Sequence, residues 1–410
     1  MMTGLAFIPM MIFVSAGVDY GRILSAQTAL QAAADSAALN IAQTGSNLTA
    51  SQMQTQAQTL ISAAFYNPST SNMNVTISAT GGAAKTYQLK ATVDFQPSLL
   101  RIIGYNTIPI SATVTSQAKS NARTRISLVL DNSGSMSQAG KMTALKGAAN
   151  SFLTTMQSAA STAADVYISI IPFVDVVNVG STNAAASWVD WSEWDSGSFW
   201  LSGWQRTSAS NHASWGGCIA DRGNSSGPAS GAYDTNVSAP IAGNTATLFP
   251  ASVPAACPVS VLPLTNDFTA LSNEINGMAA NGNTNQAIGF AHGWMSLVGG
   301  GPYPTPPVEQ TGYVYKKYII ILSDGLNTVD RWYNNQSSID ARQLLTCTNI
   351  KAAGITIYSI QVNTGGDPTS SILQSCASDT TKFFQISSAS QMPAIFSNIA
   401  GQINQLTLTN

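Results

Sequence analysis

The sequence predicts an α/β protein in which a long N-terminal helix and a small antiparallel sheet precede a doubly wound parallel sheet. Two observations lead to this fold class. Segments that alternate apolar and polar residues lie in the first part of the chain, whereas near-continuous apolar runs with helix patterns between them lie in the C-terminal two thirds. Alternation is typical of antiparallel strands with one exposed face, and continuous apolar runs are typical of parallel strands buried on both faces.

The start of the chain predicts a membrane segment. Residues 2–18 carry no charged side chain before Asp19. As a helix rising about 1.5 Å per residue, this segment would just cross a thin hydrocarbon layer. A cleaved signal peptide is the alternative, but a basic stretch is missing and no small-x-small cleavage site follows. We therefore expect an uncleaved anchor.

The anchor is expected to continue as an Ala-rich amphipathic helix, so that residues 1–44 form an anchor with a pilin-like helix. One stripe of residues lies at three- and four-residue spacing: Leu24, Gln27, Leu30, Ala34, Ala37 and Ile41. A simple stalk or core helix is the alternative interpretation. Three alternating segments then predict a small β-rich region over residues 45–122. They lie at 73–80, 86–95 and 107–118.

The C-terminal two thirds predicts buried strands with helices between them. The apolar runs lie at 126–130, 166–173, 318–322 and 355–362. Helix patterns lie at 142–156, 268–278 and 339–354, and a last helix is expected to open at Ser390 with Pro393 in its first turn. Strands that alternate with helices favour a doubly wound sheet over residues 123–410.

Residues 175–263 interrupt this alternation and are interpreted as an insertion. Six of the eight tryptophans fall there, at Trp188, Trp191, Trp194, Trp200, Trp204 and Trp215. We expect these aromatic side chains to pack a small subdomain. A surface for a partner protein or a glycan is the alternative.

Oxygen-bearing side chains gather where two predicted strands end and before a further helix pattern, formed by Ile288, Ala291 and Met295. Spread over three loops, they are Asp131, Ser133, Ser135, Thr284 and Asp324. Open parallel sheets collect ligands from several loops at the carboxyl ends of their strands. Carboxylate and hydroxyl oxygens suit hard divalent cations, and Mg²⁺ takes six oxygen ligands in near-octahedral order. The sequence therefore predicts a metal site at this edge.

These five residues resemble the metal-ion-dependent adhesion site of von Willebrand factor A domains, whose pattern is Asp-x-Ser-x-Ser, then a Thr, then an Asp. The resemblance implies a Rossmann-like domain that binds Mg²⁺, with Mn²⁺ or Ca²⁺ as alternatives. It also implies that Ser133, Ser135 and Thr284 touch the metal directly, whereas Asp131 and Asp324 often act through water. In that family a Glu or Asp of a partner protein fills the open position. Binding, not turnover, is the implied function.

Each motif also has a simpler interpretation. The segment from Asp131 to Ser135 is typical of a turn or a helix cap, Thr284 of a helix N-cap, and Asp324 with Gly325 of an ordinary turn. Their joint occurrence in the expected chain order favours the metal site.

Two catalytic interpretations fit the same loop less well. A phosphate-binding loop needs four residues between its glycines and a Ser or Thr after its lysine, but five residues separate Gly134 from Gly140, and Lys141 is followed by Met. A serine hydrolase needs a histidine base and a Gly-x-Ser-x-Gly turn. The turn is absent, and the two histidines, His212 and His292, are expected to have surface or packing roles.

The N-terminal segment resembles a second family. Val18-Asp19-Tyr20-Gly21-Arg22 and the Ala-rich stretch 29–39 are similar to the start of TadE/G-like proteins of the Tad (Flp) pilus system, whose TadG-type members join that start to a von Willebrand A domain. The resemblance implies a protein of the bacterial cell envelope. It would be anchored in the inner membrane, with the A domain periplasmic or extracellular.

Cysteine usage fits an oxidising compartment. The four cysteines are Cys218, Cys257, Cys347 and Cys376. They pair most simply within the insertion and within the C-terminal half, although the sequence permits three connectivities and four buried thiols are the alternative. Disulfides would indicate periplasmic or external exposure. Zinc is disfavoured because no two cysteines lie at ligand spacing.

The composition disfavours nucleic acid as a partner. Charged residues make up 9% of the chain, and 17 basic against 19 acidic side chains give a net charge of −2, whereas phosphate neutralisation needs clustered Lys and Arg. We therefore expect a non-enzymatic, membrane-anchored protein that binds an acidic residue of a pilus component or surface receptor through a divalent cation. A structural pilin-like subunit with a vestigial metal site and a metal-dependent hydrolase are the alternatives.

Overall fold

The computed structural model describes most of the chain. The described residues are 2–44, 48–80, 86–117, 122–160, 162–196, 211–223, 233–253, 256–311 and 313–408, and the side chains of 2–15, 43–44 and 405–408 are not among them. The chain divides into two compact units. One unit contains residues 1–121 and 407–410, and the other contains residues 122–406.

The first unit contains two helices and a three-stranded sheet. The helices are α1 (Met2–Thr44) and α2 (Ala50–Ala64), and the strands are β1 (Thr70–Thr80), β2 (Thr86–Phe95) and β3 (Ile108–Gln117). The strands pair antiparallel in the order β1-β2-β3, which confirms the predicted sheet. Helix α2 was not predicted. Its apolar signal is sparse, since its buried residues are Met53, Ala57 and Ile61.

Helix α1 packs against this sheet along a stripe that differs in part from the predicted one. Leu30, Ala34, Ala37 and Ile41 are buried as expected, but Leu24 is 45% exposed and Gln27 is exposed as well. Ile23 and Ala26 face the core in their place. The prediction was wrong at these two positions because three- and four-residue steps back from Leu30 reach two neighbouring stripes equally well.

The predicted anchor, residues 2–18, forms the first part of α1, and most of its side chains lie outside the described residues. Across the described part of the chain, no helix combines the length and the apolar character needed to span a membrane.

The second unit is built on an eight-stranded mixed sheet. The strands of this unit are β4 (Ala122–Asp131), β5 (Val166–Phe173), β6 (Val177–Asn178), β7 (Val189–Asp190), β8 (Cys218–Ile219), β9 (Phe249–Pro250), β10 (Leu262–Thr265), β11 (Val314–Ser323), β12 (Thr356–Val362) and β13 (Phe383–Ile386). Strands β7 and β9 form a separate two-stranded sheet. The sheet order is β13-β12-β11-β4-β5-β6-β8, with β10 paired to β5. The neighbouring strands β13, β12, β11, β4 and β5 are parallel to one another, whereas β6, β8 and β10 pair antiparallel with their neighbours.

Helices cover both faces of this sheet. They are α3 (Lys141–Ala159), α4 (Ser192–Ser196), α5 (Phe268–Gly277), α6 (Gln286–Val298), α7 (Gln336–Ala352), α8 (Ser371–Cys376) and α9 (Met392–Leu408). Leu128 and Leu130 of β4 pack in one core with α3, α5 and α9, and Val129 packs in another with α6, α7 and α8. The expected mixed α/β fold is therefore confirmed.

Two details of the C-terminal prediction need correction. The last helix begins at Met392, and a short 3-10 turn before it is capped by Ser388, not Ser390. Strand β13 was not predicted, because its four residues Phe-Phe-Gln-Ile are too few to show a period.

The segment between β5 and β10 packs around tryptophan side chains. Trp194 and Trp215 are buried, and Trp188 and Trp191 pack against the same core, while Trp200 and Trp204 lie outside the described residues. A disulfide joins Cys218 to Cys257, and a second joins Cys347 of α7 to Cys376 of α8. Both pairs are those expected from the sequence, which confirms that prediction.

Candidate metal site

The strand order brings two of the predicted site residues to one edge of the sheet. Asp131 ends β4, and Asp324 directly follows β11. These strands are parallel neighbours with Leu130 opposite Leu322, so both carboxylates leave at the carboxyl edge. The chain passes from β4 to β5 on one side, whereas β11 lies on the other side of β4. Open α/β sheets bind ligands at such a switch in strand order.

Hydrogen bonds link four of the five predicted residues. The Ser133 amide donates to Asp131 Oδ1 over 2.7 Å, and the hydroxyl oxygens of Ser133 and Ser135 lie 3.1 Å apart. The Ser135 hydroxyl donates to Asp324 Oδ1 over 2.6 Å. The contact between Asp131 and the Ser133 amide is the local turn contact of the simpler interpretation. The same loop also contacts the end of β11, because Ser135 bonds Asp324.

Thr284 lies beside the same group. A methyl group added to Gly325 would meet the Ser135 hydroxyl at 3.8 Å and the Thr284 hydroxyl at 4.0 Å. The hydroxyls of Ser135 and Thr284 therefore both lie close to Gly325, the residue after Asp324. Thr284 does not cap α6, because Asn285 is the N-cap and accepts from the Ile288 amide. The N-cap alternative for Thr284 is therefore wrong by one residue.

Lys141 and Ser323 are two site residues that the sequence analysis missed. The Lys141 ammonium contacts Asp324 Oδ2, and the Ser323 hydroxyl donates to Asp131 Oδ2. Lys141 is the first residue of α3 and is only 5% exposed. A cation is unfavourable at a helix N-terminus unless an anion compensates it. The position of Lys141 at the start of a predicted helix therefore indicated, in the sequence, that an acidic side chain lies near it.

The site holds two carboxyl groups and one ammonium group. Burial, reinforced by the neighbouring Asp324 carboxylate, raises the pKa of Asp131 to about 6, although hydrogen bonds from Ser323 and Ser133 oppose the increase. With both carboxyl groups ionised, the pair carries two negative charges, and the Lys141 ammonium supplies one positive charge. One net negative charge therefore stays among side chains that are mostly buried.

The donor set fits a hard divalent cation. It combines two carboxylates with three hydroxyls, and hard cations such as Mg²⁺ prefer oxygen ligands. Asn132, between two of the predicted ligands, is buried and has no hydrogen-bond partner for its side-chain oxygen or nitrogen within the described residues. Among those residues, no three His, Cys, Asp or Glu side chains form a group that could hold a metal. A site here would depend on its hydroxyls.

Neither histidine is part of this group. His292 is buried on α6, where its Nδ1 lies 3.0 Å from the Tyr303 hydroxyl, and burial lowers its pKa to about 3. His212 stacks on Trp191 with ring centroids 3.8 Å apart and contacts Asp195. Both have the packing contacts expected from the sequence.

Comparisons with known proteins give one family match, and it is confined to the N-terminus. The Flp pilus-assembly TadE/G-like family matches residues 1–40. No curated protein matches the chain in sequence. The family match therefore covers most of α1 and no part of the second unit.

Several solved structures are distantly similar. The pilus adhesin SpaC from Lactobacillus rhamnosus GG is 14% identical with a TM-score of 0.41, over 84% of this chain and 35% of that protein. The vWF domain of the type V pili tip protein Mfa5 from Porphyromonas gingivalis is 12% identical with a TM-score of 0.40, over 70% and 97%. The proximal thread matrix protein 1 from the mussel byssus, with a zinc-occupied MIDAS motif, is 12% identical with a TM-score of 0.35, over 69% and 46%.

These similarities are limited in extent. The chain spans about a third of the length of the SpaC structure. TM-scores of this size establish neither a shared fold nor a shared function.

Proposed function

We propose that the second unit binds a divalent cation through Asp131, Ser133, Ser135, Thr284 and Asp324, and uses it to hold a carboxylate of a partner protein. The observation that carries the proposal is the convergence of three distant loops, since Ser135 bonds Asp324 and shares the neighbourhood of Gly325 with Thr284. The hydroxyls would supply neutral oxygen ligands, and the carboxylates would balance charge. Mg²⁺ is the first candidate, with Mn²⁺ and Ca²⁺ as alternatives.

The charge balance supports an acidic ligand. The two carboxylates and Lys141 leave one net negative charge, so a divalent cation would turn the site positive by one charge. A buried positive charge favours a carboxylate nearby. An Asp or Glu on the surface of a partner protein is the simplest group of that kind.

The family match at residues 1–40 supports a setting for this binding. We propose a protein of the bacterial cell envelope that takes part in pilus assembly or adhesion, with residues 2–18 as its membrane segment. The partner would then be a pilus component or a surface receptor.

A structural subunit is the second candidate, and one contact favours it. Lys141 already neutralises one carboxylate of the pair, as expected if a former metal site had become a self-contained ion pair. A hydrolase is less well supported, because both histidines pack against other side chains.

Thermal unfolding in the presence of metal separates these candidates. A cation at a hundred times its dissociation constant stabilises the folded state by about 2.7 kcal/mol, which corresponds to an increase in Tm on the order of 6 °C for a domain of this size. We expect Mg²⁺ or Mn²⁺ to raise the Tm of the wild type and to have little effect on Ser135→Ala.

Ser137→Ala is the matched control for that experiment. Ser137 lies in the same 3-10 turn but is exposed, and its hydroxyl donates to the Gly134 carbonyl instead of to Asp324. It should keep the full metal response. A wild-type Tm that no divalent cation changes would favour the structural subunit.

A further inference from the structure

Seven buried or half-buried charged side chains form a network beside the candidate metal site. We call it the charge network, and its members are Glu193, Asp221, Arg222, Asp234, Asp330, Arg331 and Arg342. They come from three parts of the second unit: the segment between β5 and β10, the loop after β11, and helix α7. The network therefore ties the tryptophan-rich segment to the sheet edge that carries the candidate site.

Arg342 of α7 is the centre of the network. Its guanidinium lies 2.9 Å from Asp221 Oδ1, 3.1 Å from Asp234 Oδ2 and 3.7 Å from Asp330 Oδ2. The side chains of Arg342 and Asp221 are only 10% and 1% exposed. Buried ion pairs lose so much hydration that apolar packing often stabilises a protein equally well. The network is therefore weak evidence for added stability.

Asp221 extends the network to the residue next to Thr284. Its Oδ2 accepts from Asn285 Nδ2 over 2.9 Å and from the Arg331 amide over 3.2 Å. The other side-chain atom of Asn285, Oδ1, accepts from the Ile288 amide and caps α6. The Asn285 side chain is therefore fixed at both ends, and one of those ends is set by Asp221.

A second link reaches Thr284 from the loop after β11. The Thr284 amide donates to the Thr328 hydroxyl over 2.9 Å, and the Thr328 amide donates to the Thr284 carbonyl over the same distance. Two residues further along, Asp330 turns the loop by accepting from the amides of Trp332 and Tyr333. Asp330 is also a partner of Arg342. Thr284 is thus linked to the charge network in two ways, through the Asn285 side chain and through the loop that carries Thr328 and Asp330.

We propose that the charge network positions Thr284 for metal binding, with Asp221 acting through Asn285 as the positioning residue. The proposal rests on the proposed metal site and adds a task for the segment between β5 and β10, which supplies Asp221. Groups that orient metal ligands change affinity by about 10- to 100-fold when they are removed.

Asn285→Ser isolates this link. Serine is a good N-cap and keeps an oxygen for the start of α6, but it has no amide to donate to Asp221. We expect the dissociation constant for Mn²⁺, measured by isothermal titration calorimetry on the full chain, to rise at least tenfold. Asp221→Asn should have the same effect, provided that it folds.

Glu193→Gln is the matched control. Glu193 belongs to the same network, and its carboxylate accepts from Nε and a terminal nitrogen of Arg331. We expect its Mn²⁺ affinity to stay within twofold of the wild type, even if its Tm falls. If Glu193→Gln and Asn285→Ser weaken binding equally, the effect is general destabilisation and the positioning role is refuted.

Hydrogen exchange of the metal-free protein gives a readout that does not need a bound ion. The Asn285 amide bonds the Val174 carbonyl over 3.0 Å, and its exchange should accelerate in Asn285→Ser and in Asp221→Asn but not in Glu193→Gln. Unchanged exchange and unchanged affinity in Asn285→Ser would overturn the positioning role. A wild type that binds no cation would instead refute the metal site, and the exchange rates would still decide whether Asp221 orders this loop.

Discussion

Replacing Lys141 with methionine tests whether the candidate site lacks positive charge. The Lys141 side chain is 7% exposed, that of Asp324 is fully buried, and their charged groups are in contact. Removing one partner of a buried ion pair costs about 3–5 kcal/mol, because the other charge loses its compensation. In EDTA we therefore expect Lys141→Met to lower the Tm on the order of 6–10 °C.

Metal should reverse much of that loss. A divalent cation beside Asp324 replaces the missing ammonium, so the variant has more to gain from binding than the wild type. If Mg²⁺ stabilises the variant by about 1.4 kcal/mol more than it stabilises the wild type, the variant binds Mg²⁺ about tenfold more tightly. Calorimetric scans in EDTA and in saturating Mg²⁺ measure both quantities on the same samples.

Lys146→Met is the control for this experiment. Lys146 lies on the same helix, and its ammonium bonds the Asn276 carbonyl at the surface instead of a carboxylate. It should change neither the Tm in EDTA nor the response to metal by more than a degree or so. If Lys141→Met loses stability that Mg²⁺ fails to restore, the site does not have the charge deficit inferred from the structure.

Two further predictions concern packing and covalent structure. Gly289→Ala should lower the free energy of unfolding by about 1–3 kcal/mol in chemical unfolding, because its new methyl group would meet side-chain atoms of Phe173 and Val129 at 2.9 Å. The control Gly147→Ala, with no atom within 4 Å of the new methyl group, should raise it by up to about 1 kcal/mol. Equal effects of the two substitutions would contradict this packing of α6. The double variant that replaces Cys347 and Cys376 with alanine should lose about 3–4 kcal/mol, since the disulfide closes a loop with a sequence separation of 29; an unchanged unfolding midpoint would show that this disulfide does not form.

The parts of the fold with a clear period were predictable. Runs such as 166–173 and 318–322 are apolar on both faces, and the structure makes them β5 and the inner part of β11. Asp131 and Asp324 could be placed together because parallel strands end at one edge. Helix α2 and strand β13 were not predicted, because each offers only a few apolar positions.

The contacts that complete the site were not predictable from spacing. Lys141 meets Asp324 across 183 residues, and Asn285 meets Asp221 across 64. Local propensity carries no information on such pairs, since they depend on how the loops at one sheet edge are folded. The only local sign was a cation at the start of a helix, which indicates a compensating anion but does not identify it.

Anomalous diffraction from crystals of the full chain soaked in Mn²⁺ tests the central claim most directly. We predict one strong peak at the carboxyl edge of β4 and β11, within about 2.0–2.4 Å of the hydroxyl oxygens of Ser133, Ser135 and Thr284. A map with no peak there, or a peak bound by other side chains while these hydroxyls keep their present hydrogen bonds, would contradict it.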